Sequence, residues 1–341
     1  MFEAVIVVCL GLAGPPCRDQ LVAGYEAPDR AGCENLLGTD PPPVPEGQTP
    51  LCKPAGQALP VVEVAEGVFV HQGHIEEPDV VNAGDVANIG FVIGSDSVAV
   101  IDTGSARWIG EALWRSIRRR TDLPVSHVIL THMHPDHVFG TEVFVEAGAE
   151  VVGHANLSRD LSDRAGNYLE SLAREIGADA FLGTRSPEVT VAVGQVLTLD
   201  LGGRALELRA WPPAHTGCDL TVLDRRSGTM FAGDLVFDGH IPALDGSLRG
   251  WQRVLGELRA MEIARVVPGH GNAALDWPDG SQDLLRYLDV LESDTRAALD
   301  RGQRMGDAVR TIAAGEAGHW QLFEAYNARN ATVAFTELEW E

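Results

Sequence analysis

The sequence has little positive charge, with 26 lysine and arginine residues against 49 aspartate and glutamate residues and a formal net charge of −23. A phosphate backbone or an anionic membrane surface is repelled by such a protein unless the protein carries a basic patch. The only dense basic run is Arg115–Arg120, RSIRRR, which is typical of the solvated end of a helix. We therefore expect no nucleic acid and no membrane among the partners.

Long apolar runs are also missing. No stretch of the chain approaches the ~20 apolar residues that a membrane-spanning helix needs. The first residues, MFEAVIVVCLGLAG, are apolar but include Glu3 and no cation before the apolar run. Because a signal peptide starts with a positively charged region, this pattern favours a first β-strand instead. Any export signal would then have been removed from this chain.

No Cys-x-x-Cys pair occurs, although Cys9, Cys17, Cys33 and Cys52 all lie near the start of the chain. Four clustered cysteines allow two disulfides in any of three pairings, one zinc site, or four reduced thiols in a small cytosolic subdomain. The missing pair disfavours a zinc knuckle. We therefore favour two disulfides and an oxidising compartment, so that the protein is periplasmic or secreted. A cytoplasmic location is the alternative.

The chain divides into three predicted parts. Residues 1–60 contain the four clustered cysteines and a proline-rich linker at Asp40–Pro45, and they form a module too small for an adequate core of its own. Residues 61–275 contain short β-branched runs, bounded by glycine and polar turns, that predict strands alternating with helices. Residues 276–341 show leucines at helical spacing and predict C-terminal helices packed on the middle part.

Two stretches of the middle part have the same pattern: GFVIGSDSVAVIDTGS and DLTVLDRRSGTMFAGDLV. Each is a strand, a polar turn, a second strand and a small-residue loop with an aspartate. This repetition predicts two similar halves packed sheet on sheet, with helices outside. Ser105 is expected to cap the helix that follows the first stretch. Leucines and isoleucines at helical spacing predict one helix over about residues 156–176.

The densest set of possible metal ligands is Thr131–His137, THMHPDH, which directly follows the apolar run SHVIL. Imidazole and carboxylate together are what a divalent cation takes in a catalytic site, and zinc is the commonest such cation. His132 and His134 can point to one metal ion, and Asp136 and His137 to a second. A lone histidine is usually structural, but four ligand-type residues within six positions predict a metal site.

Three further candidate ligands lie in loops after apolar runs: His215 in PPAHTGCD, Asp234 in FAGDLV and His270 in VPGHGN. Nearby glycine or proline lets the backbone approach a crowded centre. Together with the first cluster they make seven ligands. Two four-coordinate cations would be satisfied if one ligand and one solvent oxygen bridge them. Asp234 is the natural bridge because its carboxylate has two oxygens.

The motif H-x-H-x-D-H, the later HTxxD, GD and PGHG motifs, and VIDTG at Val100–Gly104 together resemble the metallo-β-lactamase superfamily. The resemblance implies an α/β fold, the four-layer αββα sandwich, over about residues 61–275. It also implies two Zn²⁺ ions bridged by Asp234, with Asp102 hydrogen-bonding the loop that carries the cluster. The ligands it implies are His132, His134 and His215 for one ion, and Asp136, His137 and His270 for the other.

Within that superfamily, the branches differ in the residue at the position of Asp234. β-Lactamases of the one-cysteine kind carry a cysteine at this position, whereas the glyoxalase II and lactonase branches resemble this chain in carrying an aspartate. The flavodiiron branch carries a glutamate where this chain has His134. An iron redox site is therefore disfavoured.

Outside the metal motifs, the chain resembles the quinoprotein relay system zinc metallohydrolases. The resemblance lies in the Cys-containing start, NIGF at Asn88–Phe91, LDGSL at Leu244–Leu248 and the terminal AFTELEWE. These are exported proteins associated with pyrroloquinoline-quinone-dependent alcohol oxidation. The resemblance implies a functional link to a quinoprotein dehydrogenase.

The expected activity is hydrolysis of an ester, thioester or lactone carbonyl in a small-molecule substrate by a metal-bridging hydroxide, because two cations lower the pKa of a shared water. Asp136 is the residue expected to orient the nucleophile and take its proton. The alternatives are a metal-binding or redox accessory protein of a periplasmic quinoprotein system, and a weak β-lactamase. Cys218 is expected to be a small loop residue rather than a ligand, and His240 could line the mouth of the site.

Overall fold

The structure is a computed structural model that describes residues 1–11 and 14–341. Across these residues the strands form three sheets of three, seven and six strands. No helix in the described part of the chain is both long and apolar enough to cross a bilayer.

The N-terminal module consists of a small antiparallel sheet and one helix. Strand β1 (Phe2–Gly11) lies between β2 (Gly14–Ala27) and β3 (Leu51–Pro54), and helix α1 (Arg30–Thr39) connects β2 to the linker. Two disulfides, Cys9–Cys17 and Cys33–Cys52, cross-link the module. The expected pair of disulfides is therefore confirmed. The division of the chain at residues 60 and 275 stays a prediction.

The seven-stranded sheet has the order β10-β9-β8-β7-β6-β5-β4. Its strands β7, β8, β9 and β10 are parallel, and the others pair antiparallel. The strands are β4 (Val62–Ala65), β5 (Val68–His71), β6 (Ile89–Ile93), β7 (Val98–Ile101), β8 (Val125–Leu130), β9 (Glu150–His154) and β10 (Val191–Val193).

The six-stranded sheet runs in chain order from β11 to β16, and only β14 and β15 pair in parallel. The glycine turn at Gly202–Gly203 joins β11 to β12. The strands are β11 (Val196–Asp200), β12 (Ala205–Ala210), β13 (Leu220–Asp224), β14 (Thr229–Phe237), β15 (Arg265–His270) and β16 (Leu275–Asp276).

The helices cover the outer faces of the two large sheets. On the seven-stranded side they are α2 (Arg107–Arg118), α3 (Pro135–Val138), α4 (Glu142–Glu146), α5 (Leu157–Ser162), α6 (Ala165–Glu175) and α7 (Ala178–Phe181). On the six-stranded side they are α8 (Leu248–Arg259), α9 (Gln282–Asp300), α10 (Met305–Ala308) and α11 (Phe323–Leu338), with 3-10 turns at Asp279–Ser281 and Ala314–His319.

Apolar side chains fill three spaces between these layers. Val68, Ile129 and Val222 are buried between the two sheets, where both inner faces are apolar. A second core lies between the seven-stranded sheet and its helices, and a third, around Trp251 and Leu288, lies between the six-stranded sheet and its helices. This is the expected αββα sandwich, and the predicted fold class is confirmed.

Three local predictions were wrong. The expected helix over 156–176 is divided into α5 and α6, with Arg164 preceding the second helix. Ser105 does not cap α2, because its hydroxyl donates to the carbonyl of Gly84 at 2.7 Å. Arg115 is buried rather than solvated, since its guanidinium donates to Glu3 of the N-terminal module at 2.8 Å.

Candidate metal centre

The candidate ligands lie within strands of the two large sheets or in the segments that follow strands, and the prediction that Asp234 and His270 lie in loops was wrong. The THMHPDH segment follows β8, and His270 is the last residue of β15. His215 lies in the loop between β12 and β13, and Asp234 lies within β14. A Cβ atom at Gly269 would lie only 1.9 Å from Asp234 Oδ1, so glycine is required in VPGHGN for the strand to approach that carboxylate.

The first group of candidate ligands includes the imidazole of His134. Its Nδ1 lies 3.0 Å from Nε2 of His215. The carboxylate oxygen Oδ2 of Asp234 lies 3.4 Å from the same His215 nitrogen and 3.7 Å from Nε2 of His132. The ligand atoms of the four members all lie within 4.8 Å of one another. The members of this group are His132, His134, His215 and Asp234.

The second group is Asp136, His137 and His270. Oδ2 of Asp136 lies 3.3 Å from Nε2 of His270 and 3.5 Å from Nε2 of His137. Asp234 contacts this group as well, with Oδ1 at 3.2 Å from His137 Nε2 and Oδ2 at 3.5 Å from His270 Nε2. Asp234 therefore lies between the two groups, and all seven predicted residues lie in one place.

Three buried ligand atoms point to a cation. Nε2 of His132, Nε2 of His137 and Oδ1 of Asp234 have no hydrogen-bond partner among the described residues. Buried polar atoms are normally paired, because an unpaired one loses its hydration without compensation. Divalent cations bound to the two groups would satisfy all three. Nitrogen and oxygen ligands in this number fit zinc.

The other ring nitrogen of each histidine has a partner that fixes its orientation. His137 Nδ1 lies 2.9 Å from Asp102 Oδ2, and the same carboxylate accepts from the backbone N–H of Thr131 at 2.8 Å and from its hydroxyl at 2.7 Å. Asp102 has a φ of 56°, a strained conformation for a residue with a side chain. This strain is consistent with a carboxylate that must contact both Thr131 of the ligand-bearing loop and the ligand His137.

Three other histidines are oriented by oxygens from separate segments. Nδ1 of His270 lies 2.9 Å from the carbonyl oxygen of Val86, and Nδ1 of His215 lies 2.6 Å from the carbonyl oxygen of Ala243. His134 uses its other nitrogen, with Nε2 at 3.2 Å from Oδ2 of Asp245. Such partners raise the basicity of a ligand histidine and fix which nitrogen faces the metal.

Histidines of the two groups have pKa values shifted in opposite directions. Burial lowers the pKa of His215 to about 3, and burial with the neighbouring His137 holds the pKa of His132 well below its usual value. Burial also opposes a charge on His270, but the carboxylates of Asp234 and Asp136 raise its pKa to about 10. The carboxylates thus favour positive charge in the second group, as they would favour a divalent cation.

A cavity of about 230 Å³ opens onto both groups, and its lining includes His134 and Asp234 of the first group and Asp136 and His270 of the second. Its wall includes His240 and, from the C-terminal helix α11, Tyr326 and Arg329. Cys218 belongs to neither ligand group; it is buried, and burial raises the pKa of its thiol to about 12.

Sequence analysis missed Asp245, which contacts His134 and also accepts a close hydrogen bond from Arg164. The stretch LDGSL, which contains Asp245, is distinguished in the sequence only by its resemblance to the quinoprotein relay proteins. No local pattern marks a lone aspartate as the partner of a histidine 111 residues away.

The sequence model of the Metallo-beta-lactamase superfamily matches residues 83–270, more than half of the chain. The chain is similar to the Lactamase-like protein adaB of Aspergillus niger, with 24% identity over 217 residues, which is 62% of this chain and 59% of that protein. It is similar to Metallo-beta-lactamase domain-containing protein 1 of Xenopus laevis, with 28% identity over 50% of this chain and 65% of that protein. The chain thus spans about three fifths of the length of these curated relatives.

Two solved structures share the fold. A metallo-beta-lactamase from Pontibacter korlensis aligns with a TM-score of 0.55 and 22% identity, over 68% of this chain and 99% of that chain. TMB-1 aligns with a TM-score of 0.52 and 21% identity, over 69% of this chain and 97% of that chain. At this identity the likeness shows the architecture and nothing about substrates.

Proposed function

Because the chain belongs to the metallo-β-lactamase superfamily, we propose that it is a dinuclear zinc hydrolase of an ester, thioester or lactone in a small molecule. The observation that carries this proposal is the pair of ligand groups that meet at Asp234, with unpaired buried atoms in each. Such a hydrolase needs no serine or cysteine nucleophile, and the buried Cys218 offers none.

Each proposed ion has its own set of histidines, and the carboxylate of Asp234 is common to both. Ions bound there would lower the pKa of a shared water molecule and polarise the substrate's carbonyl oxygen. The proposed ligands are His132, His134 and His215 for the first ion, and Asp136, His137 and His270 for the second.

Asp136 is proposed to orient the attacking water and to accept its proton. Its side chain is part of the cavity wall, so a substrate that enters the cavity meets it. Burial disfavours its charge, yet the imidazoles of His137 and His270 hold the pKa of Asp136 well below its usual value. The carboxylate is therefore present as the acceptor form.

The two disulfides favour an oxidising compartment, so we propose a periplasmic or secreted location. The link to a quinoprotein dehydrogenase stays a prediction, because it depends on the sequence resemblance alone.

A panel of a thioester, an aryl ester, a lactone and a chromogenic cephalosporin tests the activity. We expect the zinc-loaded protein to hydrolyse at least one of the first three. Asp136→Ala should lower kcat on that substrate by about 10²–10⁴-fold, the usual contribution of a general base. The matched control is Asp163→Ala, at an exposed aspartate outside both groups.

A zinc-loaded wild-type protein that hydrolyses nothing in the panel would contradict the proposal. Activity on the cephalosporin alone would favour the β-lactamase reading. Bound iron or copper in the purified protein would favour a redox accessory role.

The cavity wall also predicts a preference in substrate charge. Glu76, Glu77 and Glu175 are exposed in this wall, and its only arginine or lysine among the described residues is Arg329, which contacts Asp245 at 3.5 Å. An anionic group near these carboxylates costs on the order of 1 kcal/mol. We expect an anionic substrate to have a KM several-fold above that of its neutral analogue.

Glu175→Gln should narrow this difference in KM, and added salt should narrow it further. Glu170→Gln is the control, because Glu170 is exposed on the same helix but lies outside the cavity wall. An anionic substrate that binds as well as its neutral analogue at low salt would refute the preference.

A further inference from the structure

One irregular loop, residues 242–247, contacts two of the proposed ligands. The carbonyl oxygen of Ala243 lies 2.6 Å from His215 Nδ1, and the carboxylate of Asp245 lies 3.2 Å from His134 Nε2. The backbone N–H of Asp245 also donates to the carbonyl oxygen of His215 at 3.0 Å. The loop therefore sets the ring orientation of two of the three histidines in the first group.

The loop is in turn held by helix α11. The side-chain amide of Asn330 accepts from the backbone N–H of Leu244 at 2.9 Å and donates to the carbonyl oxygen of Pro242 at 2.6 Å. Asn330 is 0% exposed and Leu244 is 1% exposed, so water cannot replace these bonds. Only a side chain with both a donor and an acceptor can satisfy the two backbone groups together.

The far end of the loop has a second anchor on the same helix. The carboxylate of Glu337 accepts from the hydroxyl of Ser247 and from the backbone N–H of Leu248, both at 2.7 Å. Helix α11 also supplies Tyr326 and Arg329 to the cavity wall. The residues that helix α11 contributes all lie beyond residue 270, where the match to the superfamily ends.

We infer that Asn330 is a positioning residue for the first metal ion. Helix α11 then holds in place the loop that orients two ligands of that ion. This inference rests on the proposed function, because it concerns the same ligands. Asn330 fixes the loop at residues 242 and 244, and the loop then fixes His215 and His134. Neighbours that orient a ligand in this way commonly account for 10–100-fold in metal affinity.

Asn327 provides a matched control on the same helix. It is 6% exposed, it accepts a hydrogen bond from the Tyr287 hydroxyl at 2.9 Å, and its amide donates to the carbonyl oxygen of Ile312 at 2.9 Å. Asn330 bonds the same Tyr287 hydroxyl at 2.9 Å. The two asparagines are thus both buried and both bonded to Tyr287, but of the two only Asn330 bonds the loop in the described structure.

The test is the affinity for Zn²⁺ of Asn330→Ala and Asn327→Ala, measured by competition with a chromophoric chelator, with the absorption spectrum of the Co²⁺-loaded proteins as a second readout. We expect Asn330→Ala to bind one of its two ions about tenfold more weakly and to show an altered Co²⁺ spectrum. Asn327→Ala should lower the melting temperature but bind both ions within twofold of wild type.

Equal loss of affinity in the two variants, or wild-type affinity in Asn330→Ala, would overturn the inference. If Asn330→Ala does not fold, Asp245→Ala removes the loop's own contact with His134 while Asn330 stays in place, and it should weaken the binding of the same ion. Unchanged Zn²⁺ affinity in Asp245→Ala would also overturn it. A wild-type protein that binds no Zn²⁺ would instead refute the proposed function itself, and the inference with it.

Discussion

Replacing Asp234 by asparagine is expected to lower kcat/KM by about 10³-fold and to reduce the bound zinc from two ions to one or none. The loss corresponds to about 4 kcal/mol of transition-state stabilisation, since each 1.36 kcal/mol is a factor of ten. Asparagine preserves the size of the side chain but removes its charge and one of its two carboxylate oxygens. Among the residues that the structure describes, only Asp234 has oxygens that contact histidines of both groups.

The control is Asp224→Asn in the same sheet. Asp224 is also buried, but its carboxylate pairs with Arg204 at 2.8 Å and belongs to neither ligand group. Asp224→Asn should lower the stability of the fold and keep both zinc ions. Metal analysis of the two purified variants separates a lost ligand from a weakened fold. An Asp234→Asn protein with two ions and full activity would remove the basis for a shared carboxylate.

Removing the metal from the wild-type protein is expected to abolish hydrolysis and to lower the melting temperature by about 10 °C. An ion that binds only the folded chain stabilises it by RT ln(1 + [L]/Kd), which is about 4 kcal/mol at a thousandfold excess over Kd. The ion also satisfies buried atoms that otherwise have no partner, among them His132 Nε2. The measurement is a thermal melt and an assay before chelation, after chelation and after zinc is restored.

Recovery of activity and of the melting temperature after zinc is added shows that their loss was reversible. Mg²⁺ serves as the control ion, because it prefers oxygen ligands. The melting temperature of Asp234→Asn should respond to chelation much less than that of wild type. A chelated wild-type protein that remains active and equally stable would contradict the proposed role of the ions.

Short motifs at strand ends made most of the site predictable. THMHPDH and VPGHGN each combine an apolar strand, a turn residue and a ligand, so the position of the ligand follows from where the strand ends. The parallel pairing of β7 with β8 then brings Asp102 beside Thr131, and that of β14 with β15 brings Asp234 beside His270. Local patterns of this kind are what a sequence displays directly.

The features that sequence analysis missed depend on distant contacts. Arg164 precedes a new helix instead of continuing the old one, and its guanidinium bonds Asp245, 81 residues away. In the sequence, Asn330 is one of several polar residues in a predicted C-terminal helix. Its hydrogen bonds to Leu244 and Pro242 form only because that helix packs against residues 242–244. Helical spacing cannot reveal either contact, because the partner lies on another element.

Diffraction from crystals of the purified protein at the zinc absorption edge tests the account most directly. It predicts two anomalous peaks per chain on either side of the Asp234 carboxylate, one within bonding distance of His132 and His215 and one within bonding distance of His137 and His270. An absence of peaks in active protein, or peaks away from these side chains, would contradict it.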